Sequence, residues 1–268
     1  MNLYQTTIAL LKSFDLHPKK RMGQNFLVDE NALNRIINAA NLNPSDKVLE
    51  IGTGLGVLTE ALSDKASHVT SLDSDKDMIL ISKKVLAKKD NIEFIAKDFL
   101  RWDPAGEFNK VVANVPYYIT TPIIEKLLEL APHPELIVLT VQKEVAERIA
   151  ACPPPAGKPG GRGNGAFSIF VQNRAEASID SVISKNSFFP SPKVDSAILI
   201  LKPYAQPLYD IDEKIVRAAF SQRRKMIRSS LAKFNIDFNK AGIDSKRRAE
   251  ALTLGDFEKI TKLVVRNS

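Results

Sequence analysis

The stretch that decides the fold is Lys47–Thr59, K-V-L-E-I-G-T-G-L-G-V-L-T. Lys47–Ile51 is short and mostly apolar, as a strand covered on both faces should be. Gly52, Gly54 and Gly56 then turn the chain at once into a helical pattern, Gly56–Leu62. Glycines in such a turn let a ligand approach the backbone with no Cβ in the way. In a doubly wound sheet, the turn at the carboxyl end of a strand is where a nucleotide-like molecule docks.

The same alternation extends outward. His68–Leu72, Ile92–Ile95, Lys110–Ala113 and Leu136–Val141 read as strands, with helical patterns at Lys76–Leu86, Thr121–Leu130 and Lys143–Ala150. Upstream, Asp29 opens a helical stretch that runs to Ala40. Downstream, Ala175–Ile183 and Val194–Leu201 are strands without a long helix between them, so an antiparallel edge pair is expected. The sum is an α/β fold: a seven-stranded, mostly parallel, Rossmann-like sheet. Cys152–Gly165, C-P-P-P-A-G-K-P-G-G-R-G-N-G, is expected to be an irregular loop. Past Pro203 and Pro207 the pattern is wholly helical, at Glu213–Ser221, Lys225–Phe234, Ser245–Ala251 and Leu254–Val265. A domain boundary is placed near 205, giving a catalytic unit 1–205 and a small all-α unit 206–268.

The glycine spacing narrows the ligand. The dinucleotide fingerprint is G-x-G-x-x-G; here it is G-x-G-x-G, with valine at 57 and Glu50 two residues ahead of the first glycine. A cofactor without a pyrophosphate but with an ammonium and a sulfonium suits this better than NAD, and S-adenosylmethionine carries both cations. Asp73 ends the next strand, 17 residues past Gly56, where a carboxylate can accept both ribose hydroxyls. Asp98 follows the third strand, where it can accept from an adenine amine. Each acid alone reads equally as a helix cap; three at the ends of consecutive strands read as a cofactor site.

The fourth strand ends in Asn114-Val115-Pro116-Tyr117-Tyr118. An exocyclic adenine amine is a poor nucleophile because its lone pair is delocalised into the ring. Two oxygen acceptors on its hydrogens, the Asn114 side chain and a backbone carbonyl at Pro116, would free that lone pair. Tyr117 would stack on a base taken out of its helix. A second aromatic pair, Phe188-Phe189, stands in a proline-stiffened stretch. Either ring suits the other face of the base, and either suits the core.

Charge and composition bound the partners. Net charge is +7, and from Gln206 onward there are 14 Lys/Arg against 8 Asp/Glu, so nearly all the excess lies in the last quarter. A basic accessory unit on a near-neutral core suggests a polyanion. The only cysteine is Cys152 and the three histidines are scattered, so neither a disulfide nor a metal centre is expected. No run of 18 apolar residues occurs, no secretory leader is expected, and the reading is a cytoplasmic protein.

Together these residues resemble the KsgA-type (RsmA) ribosomal RNA adenine dimethyltransferases, from about Gln24 to the C-terminus. Gln24-Asn25-Phe26-Leu27 is similar to that family's N-terminal cofactor motif, and Glu50–Thr59 to its glycine loop, with Thr53 where proline is usual. Asp73 stands where glutamate is more frequent, Val115 replaces leucine in N-L-P-Y, and Tyr118 replaces asparagine. Phe188–Ala197 resembles F-x-P-x-P-K-V-D-S, which favours Phe188 as the stacking ring. Phe220–Lys225 resembles the signature that separates small-subunit enzymes from macrolide-resistance relatives. The resemblance implies a class I S-adenosylmethionine-dependent methyltransferase with a helical C-terminal domain. It implies that Gln24, Asn25, Leu27, Glu50, Gly52, Thr53, Gly54, Asp73, Asp98 and Asn114 hold the cofactor, and that Asn114, Pro116, Tyr117 and Phe188 serve catalysis. The implied substrate is a pair of adjacent adenosines in a hairpin near the 3′ end of 16S ribosomal RNA, in an immature small subunit. Arg223, Arg224, Lys225 and Arg228 would contact phosphates, helped by Lys19, Lys20 and Arg21. A monomer without metal is expected. The rivals are a non-catalytic nucleic-acid-binding relative, an N-P-P-Y-type enzyme acting on protein glutamine or DNA adenine, and an NAD dehydrogenase.

Overall fold

A computed structural model describes residues 2–104, 108–151, 165–222 and 224–266. The chain opens with α1 (Leu3–Ser13), whose N-terminus is closed by a reciprocal box: Gln5 N donates to Asn2 Oδ1 at 2.9 Å and Asn2 N to Gln5 Oε1 at 3.2 Å. A 3₁₀ turn at Lys20–Met22 leads to the short strand β1 (Phe26–Leu27). Next come α2 (Glu30–Ala40), capped by Asp29, then β2 (Lys47–Ile51), α3 (Val57–Ser63), β3 (His68–Asp73) and α4 (Lys76–Val85). The core continues through β4 (Ile92–Ala96), β5 (Lys110–Asn114), α5 (Thr120–Glu129), β6 (Leu136–Gln142) and α6 (Lys143–Ala150). After α7 (Ala166–Gln172) it closes with β7 (Ala175–Ile183), β8 (Phe188–Phe189) and β9 (Ser196–Pro203).

Seven strands form one sheet in the order β4-β3-β2-β5-β6-β9-β7. β4, β3, β2, β5 and β6 pair in parallel, and β9 lies antiparallel to β6, Ile137 opposite Leu201. β7 and β9 are neighbours at one edge, with β9 on the inner side. The strand order reverses between β2 and β5, and such a switch point opens a crevice at the carboxyl ends. A second, two-stranded pairing joins β1 to β8, Phe26 opposite Phe189 and Leu27 opposite Phe188. The alternation of side chains along a strand sends Leu27 and Phe188 into the core with Ile36, Leu62, Val112 and Ile198.

The chain divides into two compact units, Met1–Ala146 with Ser178–Pro203, and Glu147–Ala177 with Tyr204–Ser268. The second unit thus takes in Glu147–Ala177 besides the C-terminal segment. It is helical apart from the start of β7: α7 joins α8 (Glu213–Phe220), α9 (Ile227–Ser230), α10 (Phe238–Ala241) and α11 (Leu254–Arg266). Ile169, Ile215, Ile227, Leu231, Phe257 and Ile260 form its core. The long helix expected over Lys225–Phe234 is broken into α9 and a 3₁₀ turn, ended by Asn235 at φ 50°. The helix expected at Ser245–Ala251 is reduced to a 3₁₀ turn at Ala249–Ala251. Asp244 instead turns the chain, accepting from Lys246 N at 2.9 Å. Residues 152–164 of the Pro/Gly stretch and Arg223 lie outside the described residues.

Candidate active site

The carboxyl ends of β2 and β5 open into a cleft with an empty volume of ≈ 1120 Å³. Its floor is the glycine turn between β2 and α3. Gly52 has φ 93°, and a Cβ there would lie 3.3 Å from the backbone oxygen of Asn114. Only glycine lets the turn and the end of β5 come this close. Gly54 N donates to Asp73 Oδ2 at 3.1 Å, and Asp75 N donates to Asp73 Oδ1 at 2.8 Å, so the acid at the end of β3 is tied to the turn. Burial pushes the Asp73 carboxyl up to about 6, against the pull of those two backbone N–H groups. Asp98 lines the cleft after β4 and caps a 3₁₀ turn, accepting from Leu100 N at 3.0 Å. Asp73 and Asp98 are joined by no Lys or Arg among the cleft's lining residues. A site with carboxylates and no cation suits a cationic ligand without phosphates.

The segment before β1 forms one wall. Gln24 accepts from Lys19 N at 2.9 Å and donates to Asp75 Oδ2 at 2.8 Å. Asn25 Nδ2 donates to Gly23 O at 3.0 Å, and the Asn25 carbonyl accepts from Asn114 Nδ2 at 3.2 Å. A carbonyl only accepts, so this bond turns the Asn114 amide nitrogen toward Asn25 and leaves Oδ1 as its acceptor for a ligand. Val115 is buried and anchors the end of β5. Pro116, at φ −60°, opens the 3₁₀ turn Tyr117–Ile119. Its carbonyl accepts from Ile119 N at 3.2 Å, which uses one of two lone pairs. The Tyr117 hydroxyl sits 2.6 Å from Ser196 Oγ on β9, and burial raises its pKa above the ordinary phenol value.

Of the residues singled out in the sequence, the glycine turn, Gln24–Leu27, Asp73, Asp98 and Asn114–Tyr117 line this one cleft. The others are placed elsewhere. Glu50 is wholly buried beneath the glycine turn, where Oε2 accepts from Thr59 Oγ1 and Ser71 Oγ, each at 2.5 Å. Strand alternation points it away from the cleft, and desolvation pushes its carboxyl up to about 8. Phe188 is 3% exposed in the core beside Leu27 and is absent from the cleft walls. Phe189, half-buried, packs edge-on to Tyr4. Lys19 bridges Asp75 and Asp77 at 2.8 and 2.7 Å, a clip between the N-terminal segment and the start of α4, so its ammonium already has partners. Lys20 and Arg21 are exposed. Arg224, Lys225 and Arg228 are exposed on the helical unit.

Ser71 and Thr59 went unnoticed in the sequence. The signal was the register: Ser71 stands directly opposite Glu50 in the parallel β2–β3 pair. A hydroxyl beside a buried acid is then the expected partner.

The family model described as ribosomal RNA adenine dimethylase matches residues 16–265. The ribosomal RNA small subunit methyltransferase A of Moorella thermoacetica is 37% identical, over 96% of either chain. The protein of the same name from Bacillus cytotoxicus is 36% identical, over 97% of this chain and 95% of its own. Among solved structures, a dimethyladenosine transferase from Plasmodium falciparum superposes with a TM-score of 0.73 at 28% identity, covering 88% of this chain and 95% of that one. The 23S rRNA methyltransferase ErmE gives 0.69 at 28%, covering 90% and 100%. A family match over residues 16–265 and 37% identity over 96% of either chain show that the chain belongs to the ribosomal RNA adenine dimethylase family.

Proposed function

We propose that the chain methylates the N6 amine of adenosines in small-subunit ribosomal RNA, twice on each, using S-adenosylmethionine. The observation that carries this reading is the Asn114 side chain. Its nitrogen is fixed by Asn25 and its oxygen is left for a donor, on the residue whose backbone all but touches Gly52. Bound S-adenosylmethionine supplies a methyl group made electrophilic by the sulfonium. Asp73 accepts its ribose hydroxyls and Asp98 its adenine amine. Gly52, Thr53 and Gly54 form the floor, with Gln24, Asn25 and Leu27 beside it. Glu50 acts as a positioning residue, holding the hydroxyls under the turn rather than touching the cofactor.

Asn114 Oδ1 and the second lone pair of the Pro116 carbonyl accept the two hydrogens of the target amine. This draws the nitrogen lone pair out of ring conjugation. The Tyr117 ring, anchored by Ser196, offers a face for the extruded base, and such stacking contributes about 1–3 kcal/mol. No histidine lines the cleft, so the rate gain is assigned to positioning and polar preorganisation. Phe188, in the core, supports β1 instead of stacking on the base. The target is a pair of adjacent adenosines in the 3′-terminal hairpin of 16S ribosomal RNA in an immature small subunit, met by a cytoplasmic monomer. Residues 1–205 carry the chemistry. Residues 206–268 contact phosphates through Arg224, Lys225 and Arg228, with Arg223 beside them in sequence and Lys20 and Arg21 near the cleft.

Transfer of a tritiated methyl group tests this reading. Immature small subunits should be labelled, whereas naked DNA and release factors should not. Label on DNA or protein, with none on the subunits, would replace the ribosomal reading by that of an N-P-P-Y-type enzyme. Failure to bind the cofactor at all would favour the non-catalytic relative.

A further inference from the structure

Tyr118 has no place in the chemistry above, yet it lines the same cleft and is 64% exposed, the most exposed large apolar side chain among the described residues. A tyrosine left so open beside half-buried neighbours needs a reason, since burying a ring is strongly favourable. Its ring is not adrift. It lies against Gly23, where a Cβ would stand 3.3 Å from Tyr118 Cδ1, 3.4 Å from Cε1 and 3.4 Å from Pro116 Cβ. Gly23 has φ 63° and terminates the 3₁₀ turn Lys20–Met22. A side chain there would be strained and would push the ring out. The ring is therefore seated on backbone, with most of its surface turned to solvent at the cleft mouth.

Two cationic residues stand on the turn against which it lies. Lys20 and Arg21 belong to the turn that seats the ring, and both side chains are exposed. Gly23 N donates to Lys20 O at 3.0 Å, which holds that turn under the ring. Lys19, by contrast, is spent on Asp75 and Asp77. An exposed aromatic face with two cations on the adjoining turn is what a single-stranded nucleotide asks for: a platform for its base and counter-charges for its phosphate. Tyr117, the neighbouring residue, is turned inward to Ser196, so the two rings serve different places.

We propose that Tyr118 is the platform for a nucleobase next to the target adenosine, with Lys20 and Arg21 on the phosphate of that nucleotide. The subsite holds the strand open beside the extruded base and sets which unpaired RNA can enter. It rests on the RNA-methylating reading above and adds a second base-binding position to it. A purely structural ring, propping the Gly23 turn, is the competing account. It differs in what it predicts for the cofactor, because Gln24 and Asn25 follow that turn directly.

The test uses the full-length protein, immature small subunits lacking the modification, and the variants Tyr118→Ala and Tyr118→Phe. Tyr118→Ala should raise KM for the subunits about ten-fold, with kcat and the dissociation constant for S-adenosylmethionine within about two-fold of wild type. Tyr118→Phe, which keeps the ring, should restore KM. Lys20→Ala with Arg21→Ala should raise the same KM and flatten its salt dependence. A double-mutant cycle fixes the location: subunits carrying an abasic site on one side or the other of the target should show, for one side, no further loss with Tyr118→Ala. Unchanged KM, additive losses at both neighbours, or weakened cofactor binding in Tyr118→Ala would each overturn the platform. If the wild-type protein labels no ribosomal RNA, the broader reading fails and takes the platform with it. If it labels RNA and Tyr118→Ala behaves as wild type, only the platform fails.

Discussion

Asn114 is asked to do one thing, and its geometry isolates that task. Its nitrogen bonds to the Asn25 carbonyl, and in the proposed mechanism its oxygen serves the target amine. Asn114→Ala should abolish methyl transfer and leave cofactor affinity nearly unchanged, read by tritium transfer beside calorimetric titration. Parallel loss of both would make the residue structural. Glu50 sets a different expectation, in pH. Its carboxyl in the folded protein is pushed up to about 8 from an ordinary 4.5, so the folded state holds a proton that the unfolded chain releases. The resulting stability is fully present below about pH 4.5 and is lost as pH rises through about 8. Asp73, raised to about 6, adds to the loss only in the lower part of that window. The melting temperature of the cofactor-free protein should therefore fall between pH 6 and 8, and Glu50→Gln should remove most of that slope. A slope identical in the variant would show that another group titrates.

The elements explain why some residues could be read in advance and others not. The strands from Lys47 to Gln142 were legible because buried parallel strands are continuous apolar runs, and glycine or proline marked their ends. That Asp73, Asp98 and Asn114 would meet in one cleft was legible for the same reason, since they are tied to strand ends that the pattern locates. What escaped depends on pairing between distant segments. β1 and β8 are two residues each, too short for a periodic signal. Their register alone sends Phe188 inward, which is why a ring expected at the site belongs to the core. Phe188→Ala should accordingly destabilise the protein by about 3–5 kcal/mol, as a core truncation does. Chemical denaturation measures this, and a variant of unchanged stability with a specific loss of RNA affinity would return Phe188 to the site. The helix expected over Lys225–Phe234 stops early because Asn235 turns the chain in the left-handed region, and the one expected at Ser245–Ala251 is displaced by the Asp244 turn, both local features that a helical hydrophobic pattern conceals.

At the scale of the whole molecule, the sheet unit is near neutral and the excess positive charge lies in the C-terminal segment, which the proposed function places on the RNA. Arg224→Glu with Arg228→Glu should weaken binding to small subunits and lower its salt slope by roughly one per lost phosphate contact, leaving cofactor binding intact. An unaltered slope would remove the helical unit from the RNA interface. Among the described residues no helix is long and apolar enough to cross a membrane. The identity of the methylated atom decides the function. Mass spectrometry of small-subunit RNA, incubated with the protein and S-adenosylmethionine, tests it most directly. Two adjacent adenosines should each gain two methyl groups on N6. Unmodified RNA, or methyl groups confined to other atoms or to the large subunit, would contradict it.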